Sequence, residues 1–196
     1  MANLITPVGT LSYPNLWEPR AGFDGGPAKY SCAVVFAPDT DLTELKRAAI
    51  ACAKEEWGER AEAMIRNGKL RMPFRTDGEE KGYEPGSTFI NVRTSTAPGI
   101  VSIIPDPNTG RPMKITDESA IYPGAKVKVS LQVFSYDTNG NKGVSFNLAN
   151  VQKVADGPRL DGRIAADLEF EADPNAVADL SDLETPVEDN DLSELL

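Results

Sequence analysis

The stretch Ala125-Lys-Val-Lys-Val-Ser-Leu-Gln-Val-Phe-Ser-Tyr136 decides the fold class. Val127, Val129, Leu131 and Val133 share one face of an extended chain, and Lys126, Lys128, Ser130, Gln132, Phe134 and Tyr136 share the other. Alternation of this length predicts a β-strand with one face in a core. Asn139-Gly140 follows, a pair that accepts the positive φ of a tight hairpin turn, and Val144, Phe146 and Leu148 alternate inward along the return strand. Val151 to Val154 is expected to close the sheet, and Asp156-Gly-Pro to end it.

Working towards the N-terminus, Phe89 to Thr94 reads as a strand with Ile90 and Val92 on one face and Phe89, Asn91 and Arg93 on the other, and Val101 to Ile104 as a further candidate. Pro105 to Gly110 is a turn-rich loop. Residues 10 to 13 and Tyr30 to Phe36 read as early strands, separated by a long Gly- and Pro-rich loop that contains Trp17, Arg20 and Phe23. Between the early and late strands the period changes to helical. Asp41-Leu-Thr-Glu44 has capping-box spacing, Leu42, Leu45, Ala49, Cys52 and Ala53 recur at helical intervals, and Glu59 to Asn67 forms a second helical stretch. The chain is therefore mainly β, with inserted helices.

Charge divides the chain more sharply than its average suggests. Of 196 residues, 1–163 hold all 20 Lys and Arg and 19 of the 30 Asp and Glu, a formal charge of +1. Residues 164–196 hold the other 11 acids and no base, a charge of −11. The expected organisation is a folded domain over 1–163 and a flexible acidic tail over 164–196. The overall pI of 4.6 argues against a polyanionic partner only while the two parts are averaged.

Several classes of function lose support from composition. There is no histidine, hence neither the commonest general base nor the commonest metal ligand, and no catalytic or metal site is expected. Cys32 and Cys52 form no C-x-x-C pair and read as small buried apolar residues. No phosphate-binding Gly-rich motif is present, so no nucleotide cofactor is expected. Glu55-Glu56 and Glu79-Glu80 read as solvated charge. The start lacks a basic and apolar leader and no run approaches a membrane span, so no membrane partner and a cytoplasmic location are expected.

What remains is chemistry suited to single-stranded nucleic acid, which needs cations along a track and aromatic faces for unstacked bases. Lys126, Lys128, Phe134 and Tyr136 supply both types on one strand face, unless the aromatics fill the core of a bulged barrel and the lysines are a solvated edge. Lys69, Arg71, Arg75 and Arg93 are candidates for a second wall, with Phe74 or Tyr83 as platform, or are ordinary surface charge. Tyr13 and Trp17 are candidates for either core or ligand contact. The acidic tail can occupy a basic groove until nucleic acid displaces it, and then reach partner proteins; the plainer alternative is a solubilising appendage.

The runs Ile121-Tyr-Pro-Gly124 through Tyr136, Asn139-Gly-Asn-Lys-Gly-Val144, Leu148-Ala-Asn-Val-Gln152 and Asp156-Gly-Pro-Arg-Leu160 resemble the tailed-phage OB-fold single-stranded-DNA-binding proteins. Leu11-Ser-Tyr-Pro-Asn-Leu-Trp17 and Tyr30 are similar to that family's opening. The resemblance implies a five-stranded OB-type barrel with inserted helices, sequence-independent binding of single strands in phage replication or recombination in the host cytoplasm, and an acidic tail that recruits replication or recombination proteins. A homodimer is left open. A competing reading is a protein-interaction adaptor whose barrel holds no DNA and whose tail mimics it.

Overall fold

The computed structural model describes residues 3–22, 25–138 and 140–162. The acidic tail expected over 164–196 and Asn139 of the hairpin turn lie outside the described residues, as does Phe23. In chain order the elements are β1 (Leu4–Ile5), β2 (Gly9–Arg20), β3 (Lys29–Phe36), α1 (Thr43–Trp57), α2 (Arg60–Arg66), β4 (Phe74–Arg75), β5 (Thr88–Thr94), β6 (Gly99–Pro105), β7 (Pro112–Lys114), β8 (Lys126–Thr138) and β9 (Asn141–Ala155).

Five of these strands close on themselves. β2 pairs with β3, β3 with β5, β5 with β9, β9 with β8, and β8 returns to β2. Every contact in this ring is antiparallel except that of β5 with β9, where Arg93 lies opposite Asn147. This is the expected OB-type barrel, with α1 and α2 inserted between its second and third strands. The short β1 adds to the edge of β8, β4 to β5, and the β6–β7 hairpin to the second half of β9.

The alternation read in the sequence accounts for the core. Val127, Val129 and Leu131 of β8 meet Val144, Phe146, Leu148 and Val151 of β9, with Leu11, Val34, Phe36, Ile90 and Val92 from the other barrel strands. Each such side chain contributes about 1.5–3 kcal/mol through removal from water. On β9 the buried positions skip from Leu148 to Val151. The ladder shows why: Ser130 faces Asn150 but Leu131 faces Leu148, leaving Ala149 as an extra residue, and a second shift leaves out Val154. Such bulges bend and twist a strand, which lets one long hairpin wrap a barrel.

α1 lays Leu45, Ala49 and Ala53 onto this core. Its start is held by Asp41, whose carboxylate accepts from Thr43 N–H at 2.9 Å and is lowered below the usual range by that bonding. Cys32 is buried, and burial pushes its thiol up to about 12; Cys52 is only half-buried. Among the described residues no helix is long and apolar enough to cross a membrane.

The observed elements add to or differ from the expected ones at three places. The loop expected after residue 13 is strand as far as Arg20, because Pro14 and Pro19 fall inside two register shifts where the ladder to β3 is already interrupted. Trp17 therefore belongs to β2. Val151 to Val154 is the continuation of β9, not a separate closing strand. β7 was not anticipated, since its three exposed residues carry no alternation.

The Pro123-Gly124 turn before β8 and the Gly157-Pro158 segment after β9 pack backbone to backbone. Leu160 N–H donates to Pro123 carbonyl at 2.9 Å, and a Cβ placed on Gly124 would lie 2.0 Å from the Pro158 oxygen. Gly124 also holds a φ of 113°. Gly124→Ala is expected to destabilise the fold by about 2 kcal/mol or more, through clash and backbone strain together. A urea-unfolding midpoint indistinguishable from wild type would contradict this contact.

Candidate nucleic-acid interface

The outer face of the barrel is built by the residues that alternate with the core. On the hairpin, antiparallel pairing sets Tyr136 opposite Gly143, Phe134 opposite Ser145 and Gln132 opposite Asn147, then Ser130 opposite Asn150 and Lys128 opposite Gln152. Asn147 adjoins Arg93 of β5, which faces Ser31 of β3. Phe134 is 43% exposed and points away from the core. Tyr136 is half-buried because its ring lies over Gly143, where an added Cβ would come within 2.6 Å of the phenol oxygen.

Arg71 is brought to the same end of the hairpin by the backbone. Its N–H donates to Lys142 carbonyl and its carbonyl accepts from Val144 N–H, both at 2.9 Å. Among the described residues Lys69, Arg71, Arg93 and Lys128 form no ion pair, whereas Arg47, Lys54 and Arg66 of the helices are each paired with Glu44 or Glu62. On the barrel strands Arg93 and Lys128 thus stand outside the ion pairs, whereas Lys142 and Lys153 of β9 are held by Asp137 and Asp156. Lys126 Nζ donates to Thr10 Oγ1 at 2.8 Å and is half-buried.

Lys126 and Tyr136 are ten residues apart on one strand, a contour of about 33 Å. The face read in the sequence as one cluster is therefore a track with two ends. Phe134, Tyr136 and Arg71 stand at the hairpin end; Lys126 and Lys128 stand at the other.

Three predicted residues are tied up elsewhere. Tyr83 is 8% exposed, its hydroxyl donates to Ser12 Oγ at 3.0 Å, and its ring packs edge-on against Phe89 with centroids 5.3 Å apart. Burial pushes its phenol above the ordinary range. It closes a small apolar cluster with Val35 and Phe89 on the outside of the sheet, so it offers no face to a base. Arg75 covers that cluster from 5.6 Å and is held by Asp77, which raises the guanidinium and lowers the carboxylate. Phe74 packs edge-on against Phe146 and belongs to the core margin.

Tyr13 and Trp17 border a cleft of about 400 Å³ at the Lys126 end, together with Tyr122 and Arg159. Tyr13 is 62% exposed and holds a left-handed φ of 45°, an unusual cost for a residue with a side chain. Sequence reasoning did not single out Tyr122 or Arg159. The signal was present in the Gly- and Pro-containing segments Tyr122-Pro-Gly124 and Gly157-Pro-Arg159, but only their packing brings the two residues together.

A sequence profile of the family described as "Enterobacter phage Enc34, ssDNA-binding protein" matches residues 2–181. Protein p50 of Acyrthosiphon pisum secondary endosymbiont phage 1 is 30% identical over 169 residues, spanning 81% of this chain and 86% of its own. Among solved structures, the single-stranded DNA-binding protein from bacteriophage Enc34 in complex with ssDNA aligns with a TM-score of 0.56 at 22% identity, covering 81% of this chain and 89% of the other. Gp2.5, a single-stranded DNA binding protein encoded by bacteriophage T7, aligns with a TM-score of 0.57 at 16% identity, over 83% of this chain and 97% of the other.

The structural role of Tyr83 is separable from binding. Tyr83→Phe leaves the buried Ser12 hydroxyl without its partner and is expected to cost about 1 kcal/mol of stability, with oligonucleotide affinity unchanged. Thermal unfolding and titration of the same sample check both parts; an intact melting temperature with weakened binding would reverse the assignment.

Proposed function

The chain belongs to the Enc34 ssDNA-binding protein family, and on that premise we propose that it binds single-stranded DNA without sequence preference through the outer face of β8, β9 and β5. The observation that carries this reading is the combination, on that face, of cations that form no ion pair among the described residues with outward aromatics. Arg71, Arg93, Lys69 and Lys128 attract the phosphates, and Phe134 and Tyr136 offer ring faces on which bases stack. Lys126 flanks the track at its far end. Charge attraction and ring stacking both act on features that every nucleotide carries, which suits tolerance of any sequence.

In this reading the protein acts as a binder rather than an enzyme, coating single strands during phage replication or recombination in the host cytoplasm. The acidic segment 164–196 competes with DNA for the cationic face, since its −11 charge is opposite in sign to the unpaired cations. When DNA displaces it, the segment is available to replication or recombination proteins. A homodimer is compatible with this arrangement and is not required by it.

Titration of an oligothymidylate by fluorescence anisotropy tests the reading. With four phosphate-facing cations, log affinity is expected to fall against log salt with a slope of about −3. Phe134→Ala or Tyr136→Ala is expected to weaken binding by about 1–3 kcal/mol without unfolding the barrel. Removal of 164–196 is expected to tighten binding at low salt. Undetectable binding at low salt with and without that segment would end the proposal, and equal affinities of the two forms would remove the competition.

A further inference from the structure

The cleft at the Lys126 end has a composition different from the track. Its lining includes Tyr13, Trp17 and Arg20 of β2, Glu118 and Tyr122 of the segment before β8, and Arg159 after β9. At about 400 Å³ it falls within the range of small-molecule sites, about 300–1,000 Å³. Three aromatic rings and a guanidinium plane in such a space suit a flat ring rather than a phosphate group.

Charge points the same way. Arg159 lies over the Tyr122 ring at 4.5 Å and is paired with Asp161 at 3.2 Å, so its charge is largely answered within the protein. Glu118 adds a carboxylate to the lining. Arg20 forms no ion pair among the described residues. The interior is thus close to neutral, with a hydrogen-bond acceptor in Glu118 and one unanswered cation in Arg20.

The cleft is also held in shape. The Tyr122 hydroxyl donates to Asp156 Oδ1 at 2.8 Å and accepts from Gly157 N–H at 3.2 Å, and Asp156 is in turn held by Lys153 at 2.7 Å. Tyr13 presents its exposed ring from a left-handed backbone, and strain of this kind clusters at binding sites. Trp17 packs against the core, with its Nε1 buried and without a hydrogen-bond partner among the described residues.

We propose that this cleft takes in one unstacked base of the bound strand, with an adjoining phosphate at Arg20. The base lies among Tyr13, Trp17 and the Arg159–Tyr122 stack, and an amino or imino group on its edge donates to Glu118. A base inside a duplex cannot enter without leaving its stack and its pairing, so the cleft lets the protein reject double strands. The inference rests on the single-strand-binding reading and adds to it a site for an individual base.

The test uses the full-length chain carrying Trp57→Phe, in which Trp17 is the sole tryptophan, titrated with oligothymidylate while anisotropy and tryptophan emission are recorded together. Quenching of Trp17 is expected to track saturation, and to be lost with an oligomer of the same length made of abasic residues. Tyr13→Gly, which removes the ring and relieves the backbone, is expected to weaken single-strand binding at least about fivefold, the low end of one lost stack, without lowering the melting temperature. Arg20→Ala gives a second variant, at an exposed side chain that forms no ion pair among the described residues, and is expected to weaken binding and reduce its salt dependence. If anisotropy reports binding while Trp17 emission stays constant and both variants bind like wild type, the cleft assignment is overturned and the track reading survives. Absence of binding by anisotropy overturns both.

Discussion

The single parallel contact between β5 and β9, where Arg93 lies beside Asn147, closes the barrel, and the rest of the structure follows from that closure. Without it the strands would form an open antiparallel sheet with two long edges and a core covered on one side only. Closing it demands that β9 turn sharply enough to reach β5 with its first half and β6 with its second. The extra residue Ala149, between the β5 contact at Asn147 and the β6 pairing from Asn150, supplies that turn, and the reversal of burial between Leu148 and Val151 follows from it.

Closure also sorts the side chains. Every residue that alternates with the core is forced to the outside, so the amphipathic character of β8 becomes a surface track as directly as its valines become core. The helices cover one part of the barrel and settle their own charges through Glu44 and Glu62. Among the described residues Arg71, Arg93 and Lys128 form no such pair, although Lys142 and Lys153 of β9 are held by Asp137 and Asp156. Positive charge is therefore concentrated by the absence of local partners more than by the number of basic residues, which explains how a body with a formal charge of only +1 can present a cationic surface.

Much of this was legible in the sequence where period two was uninterrupted. The β8 alternation, the inward residues of β9 up to Leu148, and the helix face of Leu45, Ala49 and Ala53 follow from spacing alone. The outward position of Phe134 follows from the same parity as Lys126 and Lys128. Legibility failed where the chain departs from a regular ladder. Pro14 and Pro19 read as loop residues, yet the bulges of β2 accommodate them. Tyr83 read as a surface aromatic, but its burial depends on Phe89, Val35 and Ser12 from three different strands, a conjunction invisible to any local pattern. Tyr122 and Arg159 are 37 positions apart and become neighbours only because Gly124 and Pro158 touch.

The central claim is that a single strand runs along the outer face of β8 from the hairpin end to the aromatic cleft. Photochemical crosslinking of the full-length protein to oligothymidylate, followed by peptide mapping, tests it most directly. The account predicts adducts at both ends of the track, on Phe134 or Tyr136 and on Tyr13 or Trp17. Adducts confined to the helices or to the β6–β7 hairpin, with the β8 face unmodified at saturation, would contradict it.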